Sequence, residues 1–382
     1  MAFSARNGKE GGSQASLLRQ WKDWEAGRVK PRFWAPYIAE TFGTVTQDLF
    51  PTERSGDSQL IDAAGMDTAE LIARLRRSTI DDATLRAVRV TADRLCTEYR
   101  YRASGELRTE GHSWLRRVTR LLGERLTLEQ HREALSLAGL IALLVGCVEY
   151  DAGDPTAADA TRGFALDLAV EVDDHTIMGW AYEMEAWMAL TSGDYHRVVA
   201  ASERGRDVAG HRGVGVQLAA QAAKAWARLG NRRQVEIALD RGRSLLESLP
   251  NPPNPDHHFV IDPAKWHFYC MDAYRLVDEN ALAQTYADEV LRLGVTTDAE
   301  ERSPMRNAEA RATLGVIAAR AGDLDAALDY GHQALSGSRK SLPTLAMVSG
   351  ELARTIKARN DRHPDIRQYL DQVRETRQAI GG

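Results

Sequence analysis

The segment Leu314–Leu335, LGVIAARAGDLDAALDYGHQAL, decides the fold. On both sides of Gly322-Asp323 apolar residues recur at three- and four-residue spacing, the pattern of two amphipathic helices joined by a tight turn. Gly315 on the first helix and Ala327 and Ala334 on the second place short side chains where the two helices would cross, as close antiparallel packing requires. Working outward, similar turns stand at Gly153-Asp154, Gly193-Asp194, Gly230-Asn231 and Asp278-Glu279. Gly146, Ala158 and Ala165 repeat the small residues in the first unit; Ala186 with Gly205 and Ala223 with Gly242 repeat them partly, and Ala283 alone does so in the fourth. From Asp67 onward helix formers dominate and alternating β-branched segments are nearly absent, so the fold class is all-α.

These helix pairs resemble the tetratricopeptide repeat. The resemblance implies an α-solenoid over residues 134–382, a right-handed superhelix whose concave face is lined by the first helix of each pair. Spacings above the usual ~34 residues imply longer helices or insertions. One insertion is plain: Pro250–Pro263, PNPPNPDHHFVIDP, is too proline-rich to be helical and delays the fourth unit. A partial head at 1–50 and a Gly-, Ser- and Asp-rich linker at 51–67 precede the body, whose N-terminal part at 68–133 reads as three helical stretches, Thr68–Ile80, Ala83–Ala103 and Gly105–Leu122. Arginines are dense from Arg74 to Arg125, but interleaved acids such as Asp93, Glu98, Glu106 and Glu110 point to a solvated, ion-paired face rather than a nucleic-acid surface. The longest uncharged run, Ala134–Val148, falls short of the roughly 20 residues of a bilayer span and reads as a buried helix.

The chain has 382 residues, 43% hydrophobic and 27% charged, enough for a sizeable folded core. Its formal net charge of −5 excludes nucleic-acid binding by bulk positive charge, so any such contact is local. Cys96, Cys147 and Cys270 are odd in number and far apart, which fits neither a disulfide framework nor a Cys-based zinc site. With no apolar stretch for a signal peptide at the start, a cytoplasmic protein is expected.

The head reads as helix, turn, helix, turn, short helix. Gly27 suits the end of the first helix and Pro31 the start of the second. Trp24-Glu25-Ala26-Gly27-Arg28-Val29-Lys30-Pro31, followed by the Phe42-Gly43-Thr44 turn, resembles the second half of a helix-turn-helix regulator of the xenobiotic-response-element type, in which the recognition helix ends in Trp-Glu-x-Gly-x-x-x-Pro. Head and body together are similar to actinobacterial transcriptional regulators in which such a head precedes a tetratricopeptide domain; Leu143–Tyr150 and His257–Lys265 share in that likeness. The resemblance implies that Ser13, Gln14, Ser16 and Gln20 lie toward the groove of double-stranded DNA while Lys22, Arg28 and Lys30 grip phosphate, with Trp24 a packing residue. The family places two helices before the recognition helix, and Met1–Gln14 is too short for them, so the head is expected to be truncated: begun upstream of Met1, or a remnant that no longer binds DNA.

The turn offsets make Tyr150, Asp151, Trp180, Glu183, Trp187, Gln217, Lys224, Arg228, Lys265, Phe268, Asp272, Arg275, Glu309 and Arg320 face the concave groove, and of these Tyr150, Trp180, Glu183, Trp187, Gln217, Lys224, Arg228, Phe268 and Arg275 are the expected peptide- or protein-binding residues. Aromatics at one end and cations at the other suit an extended peptide or protein partner, apolar groups on Trp180 and Trp187 and a carboxylate near Lys224, Arg228 and Arg275. The alternative for the two tryptophans is packing between helices. No Gly-rich phosphate loop, Gly-x-Ser-x-Gly elbow or His-Glu-x-x-His pair occurs, so no enzyme and no cofactor are expected. His257, His258, Asp262, His267 and Cys270 are the only residues of metal-ligand type that cluster in sequence, and a structural role is expected for them. The function implied is a DNA-binding transcriptional regulator with a peptide- or protein-binding body, a possible homodimer through its terminal helices at 343–380; the rival is a scaffold for protein–protein interaction that binds no DNA.

Overall fold

A computed structural model describes residues 14–29, 31, 34–43, 49, 78–295, 301–337, 339–359 and 364–380. The chain is all-α and divides into two compact units, Met1–Arg76 and Arg77–Gly382. The expected linker lies outside the described residues, as does nearly all of the helix expected at 68–80. In the first unit α1 (Gln14–Glu25) ends at Gly27, whose φ of 65° is the left-handed conformation that closes a helix. The second helix, α2 (Ala35–Thr41), starts later than expected: Pro31 supplies the carbonyl that accepts from Ala35 N instead of opening the helix itself.

The second unit begins with α3 (Asp82–Glu98) and α4 (Ser104–Leu122). Their arginines are ion-paired, as the interleaved acids suggest: Arg94 bridges Glu98 and Glu110, and Arg102 bridges Glu98, Glu106 and Glu110. Next comes α5 (Leu128–Asp151), which contains the uncharged run and is opened by a capping box between Thr127 and Gln130. Among the described residues it is the one helix long and apolar enough to cross a membrane, yet most of it is buried in the domain core. Its partner α6 (Pro155–Val172) and five further helix pairs complete the unit: α7 (His175–Ser192) and α8 (Tyr195–Ala209), α9 (Val214–Arg228) and α10 (Arg232–Ser248), α11 (Pro263–Leu276) and α12 (Asn280–Leu293), α13 (Pro304–Ala321) and α14 (Leu324–Ser336), α15 (Leu342–Arg359) and α16 (Pro364–Gln378).

Every expected inter-helix turn is present and has one mechanism. Gly153, Gly193, Gly230 and Gly322 take positive φ, and the next residue, Asp154, Asp194, Asn231 or Asp323, caps the following helix by accepting a backbone N–H three residues on. Asp278 at φ 62° does the glycine's part in the fourth turn, which departs from the others in that Glu279 makes no side-chain cap. A sixth turn of the same kind, Asp173-Asp174 between α6 and α7, was hidden in the sequence because it carries no glycine. The small residues sit where helices touch: a Cβ on Gly242 would stand 2.5 Å from the Trp266 ring, and Ala158, Ala165, Ala327 and Ala334 are fully buried.

Helices α5, α7, α9, α11, α13 and α15 each pack on the next, and α15 returns to pack on α5 and α7. The inner helices therefore form a ring around a centre. Three contacts lock the closure. Trp187 Nε1 donates to Thr344 Oγ1 at 2.9 Å, Arg339 reaches the Asp151 carboxylate at 2.7 Å with both side chains buried, and the Ala379 carbonyl lies against Gly153. The terminal helices expected at a dimer interface thus close the molecule's own ring. The proline-rich insertion does more than delay a repeat: it runs back to α3, where His258 N donates to the Cys96 carbonyl at 3.0 Å and Asn254 Nδ2 donates to Thr97 Oγ1 at 2.9 Å.

Candidate functional site

At the centre of the ring lies a cavity of about 120 Å³ with a wall from every inner helix. Asp151 comes from α5; Glu183, Trp187 and Leu190 from α7; Gln217, Gln221 and Lys224 from α9; Lys265, Phe268 and Tyr269 from α11; Met305, Arg306 and Glu309 from α13; Thr344 and Met347 from α15. Cys96 on α3, Tyr99 and Arg100 just after it, Asp256 and His258 from the insertion, and Ser303 and Ser341 complete the lining. Helical periodicity explains the set: positions 217, 221 and 224, or 306 and 309, project to one side of a helix.

Burying so many charges is costly unless each finds a partner. Several do. Lys265 Nζ donates to the carbonyls of His257, His258 and Val260, tying the insertion to α11 against the desolvation and the Arg306 charge that push its pKa down. Arg100 pairs with Asp256. Lys224 lies 3.2 Å from Asp272 and over the Phe268 and Tyr269 rings, at 5.3 and 5.4 Å from their centroids. Burial works against the Asp272 carboxylate, but Arg275, Lys224 and Arg228 hold it well below the usual range.

Other groups are left over. Asp151 uses Oδ2 for Arg339, and its Oδ1, buried, has no hydrogen-bond partner. Glu183 accepts from both Gln217 Nε2 and Gln221 Nε2 at 2.7 Å; burial pushes its pKa up while these amides hold it down, and Gln221 Oε1 is left without a partner. Glu309, only 8% exposed, makes no hydrogen bond or ion pair among the described residues, and burial pushes its carboxyl up to about 7. On the same side of α13, Arg306 has a cation–π contact with Phe268 at 5.9 Å and no carboxylate partner.

Asp151, Lys265 and Glu309, expected to face the groove, line this cavity, and so do Glu183, Trp187, Gln217, Lys224 and Phe268 of the nine residues expected to bind. The other four do not, and each has a structural occupation. Trp180 is buried edge-on against Phe259, and Tyr150 packs on the outer side of Trp187 with its hydroxyl at Thr191. Arg228 lies along Lys224 O, Met347 and the Tyr195 ring, while Arg275 is fully buried among Asp272, Glu351 and Thr313. Trp180, Arg228 and Arg275 are therefore engaged by the chain itself. Tyr99, Gln221, His258, Tyr269 and Arg306 escaped the sequence reading. Gln221 and Arg306 were within reach of it, at i+4 from Gln217 and i−3 from Glu309, whereas Tyr99 and His258 arrive through long-range folding.

In the head, Ser13 and Lys30 lie outside the described residues, and of Gln14 only the backbone is described. Ser16, Gln20 and Lys22 are exposed on α1, and Arg28 is exposed but paired with Asp23 at 2.8 Å. Trp24 is half-buried and meets Trp21 edge to face. The histidines of the insertion serve packing: burial pushes the His258 pKa well down, and its ring lies on Tyr99 and Phe259. Among the described residues no three His, Cys, Asp or Glu side chains converge as metal ligands. All three cysteines are buried and free. Compared with protein-family models and with curated proteins, the chain matches none of either.

Proposed function

We propose that this chain is a cytoplasmic DNA-binding regulator whose helical body takes a small ligand, or the end of a partner chain, into its central cavity. The observation that carries the ligand half is Glu309: a buried carboxylate in the cavity wall with no hydrogen bond or ion pair among the described residues. A purely structural core gains nothing from such a group. The DNA half rests on the Trp24–Pro31 motif and on the exposed Lys22 and Arg28 beside it. A ring of stacked helix pairs is suited to transmit occupancy, since every inner helix contributes to the cavity wall.

The test of the DNA half is selection from a random duplex library at low salt by the wild type and by the Lys22→Ala, Arg28→Ala double variant. The wild type should enrich a sequence, and the variant should bind every duplex more weakly, with a salt slope smaller by up to about 2. No enrichment, or unchanged binding by the variant, removes the head from the reading. One observation favours the scaffold alternative: Arg28 is already paired with Asp23. In that case partner binding persists and depends on cavity residues alone.

A further inference from the structure

We propose that the central cavity binds a primary ammonium group on a small body that also carries a carboxylate or carbonyl, the chemistry shared by a free amino acid and the N-terminal residue of a peptide. This rests on the reading of the cavity as a ligand site and names what it takes.

The wall has acceptors to spare. The Glu309 carboxylate has neither a hydrogen bond nor an ion pair among the described residues; on two further lining side chains, Asp151 Oδ1 and Gln221 Oε1 have no hydrogen-bond partner among those residues and are themselves enclosed, Asp151 beside the Tyr99 side chain. Asp151, Gln221 and Glu309 are 1%, 4% and 8% exposed and come from three different helices, α5, α9 and α13. A buried acceptor without a donor loses its hydration and gains nothing in return. The protein's own cations do not answer them: Lys265 donates to three backbone carbonyls, Lys224 sits at Asp272, and Arg339 engages the other oxygen of Asp151. A primary ammonium offers three N–H donors and one positive charge, which is what Glu309 and its neighbours lack. The Phe268 and Tyr269 rings add faces that already attract a cation, Lys224.

The second half of the ligand follows from Arg306. Its side chain lines the same cavity, one helical turn before Glu309, and pairs with no carboxylate among the described residues. A carboxylate or carbonyl next to the ammonium would meet it, giving a dipolar ligand on a dipolar wall. Size sets the limit. At about 120 Å³ the space is below the ~150 Å³ that holds a benzene ring, so it takes one residue-sized group and not a folded or extended chain.

The probes are the proteinogenic L-amino acids with their N-acetyl, amide and dipeptide derivatives, tested by thermal shift and calorimetry on the full chain at millimolar concentration. At least one amino acid, amide or dipeptide should raise Tm by about 2 °C or more, and its N-acetyl form should not. Preference for the free acid identifies an amino-acid ligand; equal or tighter binding of the amide and dipeptide identifies a peptide N-terminus. Glu309→Gln should weaken the best probe at least about tenfold, and the ratio of wild-type to variant affinity should rise between about pH 6 and about pH 8, a ratio from which the probe's own ammonium titration cancels. The proposal is overturned if no probe binds, if N-acetyl forms bind as well as their parents, or if Glu309→Gln leaves affinity and its pH profile unchanged. A silent panel in a protein that still selects duplex DNA overturns this ligand class alone. A bound amino compound in a protein that selects no DNA overturns only the role of the head.

Discussion

Replacing Glu309 by glutamine isolates what it costs to ionise a carboxyl inside the ring. Burial is the main cause that pushes this group up to about 7; Asp272 and Asp151 add to it, while Lys224 and Arg275 oppose it. Its ordinary value is 4.5. Between those two values the folded protein keeps a proton that the unfolded chain has released, so this group's contribution to stability falls as pH rises through the window. Above it the penalty is complete, and at ~1.4 kcal/mol per pH unit it amounts to about 3 kcal/mol. Glutamine keeps the shape and never ionises. In urea unfolding of ligand-free protein, Glu309→Gln should therefore match the wild type within about 1 kcal/mol near pH 5 and exceed it by about 3 kcal/mol near pH 8. Taking the difference between the two proteins cancels the other titrating groups. A difference that is flat from about pH 5 to about pH 8, or that grows toward acid, would refute the claim that Glu309 is ionised at a loss.

Arg339→Ala should destabilise by about 3–5 kcal/mol in the same unfolding assay, because it leaves the Asp151 carboxylate buried without its only cation. Three Gly→Ala substitutions should separate by mechanism. Gly242→Ala forces the Trp266 ring aside and should cost about 1–3 kcal/mol. Gly193→Ala meets no atom but must hold φ at 86°, at about 1–2 kcal/mol. Gly163→Ala, inside α6 with open space and ordinary φ, should stabilise by about 0.5–1 kcal/mol. Equal losses at the three sites would show that the close approach at Gly242 and the left-handed turn at Gly193 are not what those glycines are for.

The turns were legible in the sequence because their physics is local. A residue in the left-handed region followed by an Asp or Asn cap needs only two adjacent positions, and all five expected turns are found where Gly-Asp, Gly-Asn or Asp-Glu stood. The Asp173-Asp174 turn escaped because aspartate can take φ of 58° without advertising it. The inner face of each helix was legible too, from periodicity. Which inward residue meets space and which meets another helix was not. Arg275 and Glu309 look alike in sequence, inward-facing charges on helices with several charged residues; one is enclosed by Asp272 on its own helix and Glu351 far along the chain, the other has no ion-pair partner among the described residues. Closure of the ring was out of reach for the same reason. Arg339 and Asp151 are 188 residues apart, and no pattern in either segment names the other.

Two groups of buried charge lie side by side in this ring and show how a structural network differs from a site. Asp272 faces Arg275, Lys224 and Arg228, and Arg275 in turn holds Glu351 and Thr313, so each charge there is answered by the chain itself. Such a network repays much of its desolvation and fixes how α9, α11, α13 and α15 pack. Around the cavity the balance is different: Glu183 has only amide donors, Gln221 and Asp151 each keep an acceptor unused, and Glu309 and Arg306, one turn apart on α13, are not paired with each other. Buried polar atoms without a hydrogen-bond partner also stand elsewhere in the core, on His175, Ser202, His267, Asp272, Asn307 and Ser349. At the cavity, acceptors from α5, α9 and α13 and a cation from α13 share one space, and the residues that close the ring, Arg339 on Asp151 and Thr344 on Trp187, act on the same wall. A molecule that supplies the missing donors would therefore bear on the same side chains that hold the first and last helices of the ring together.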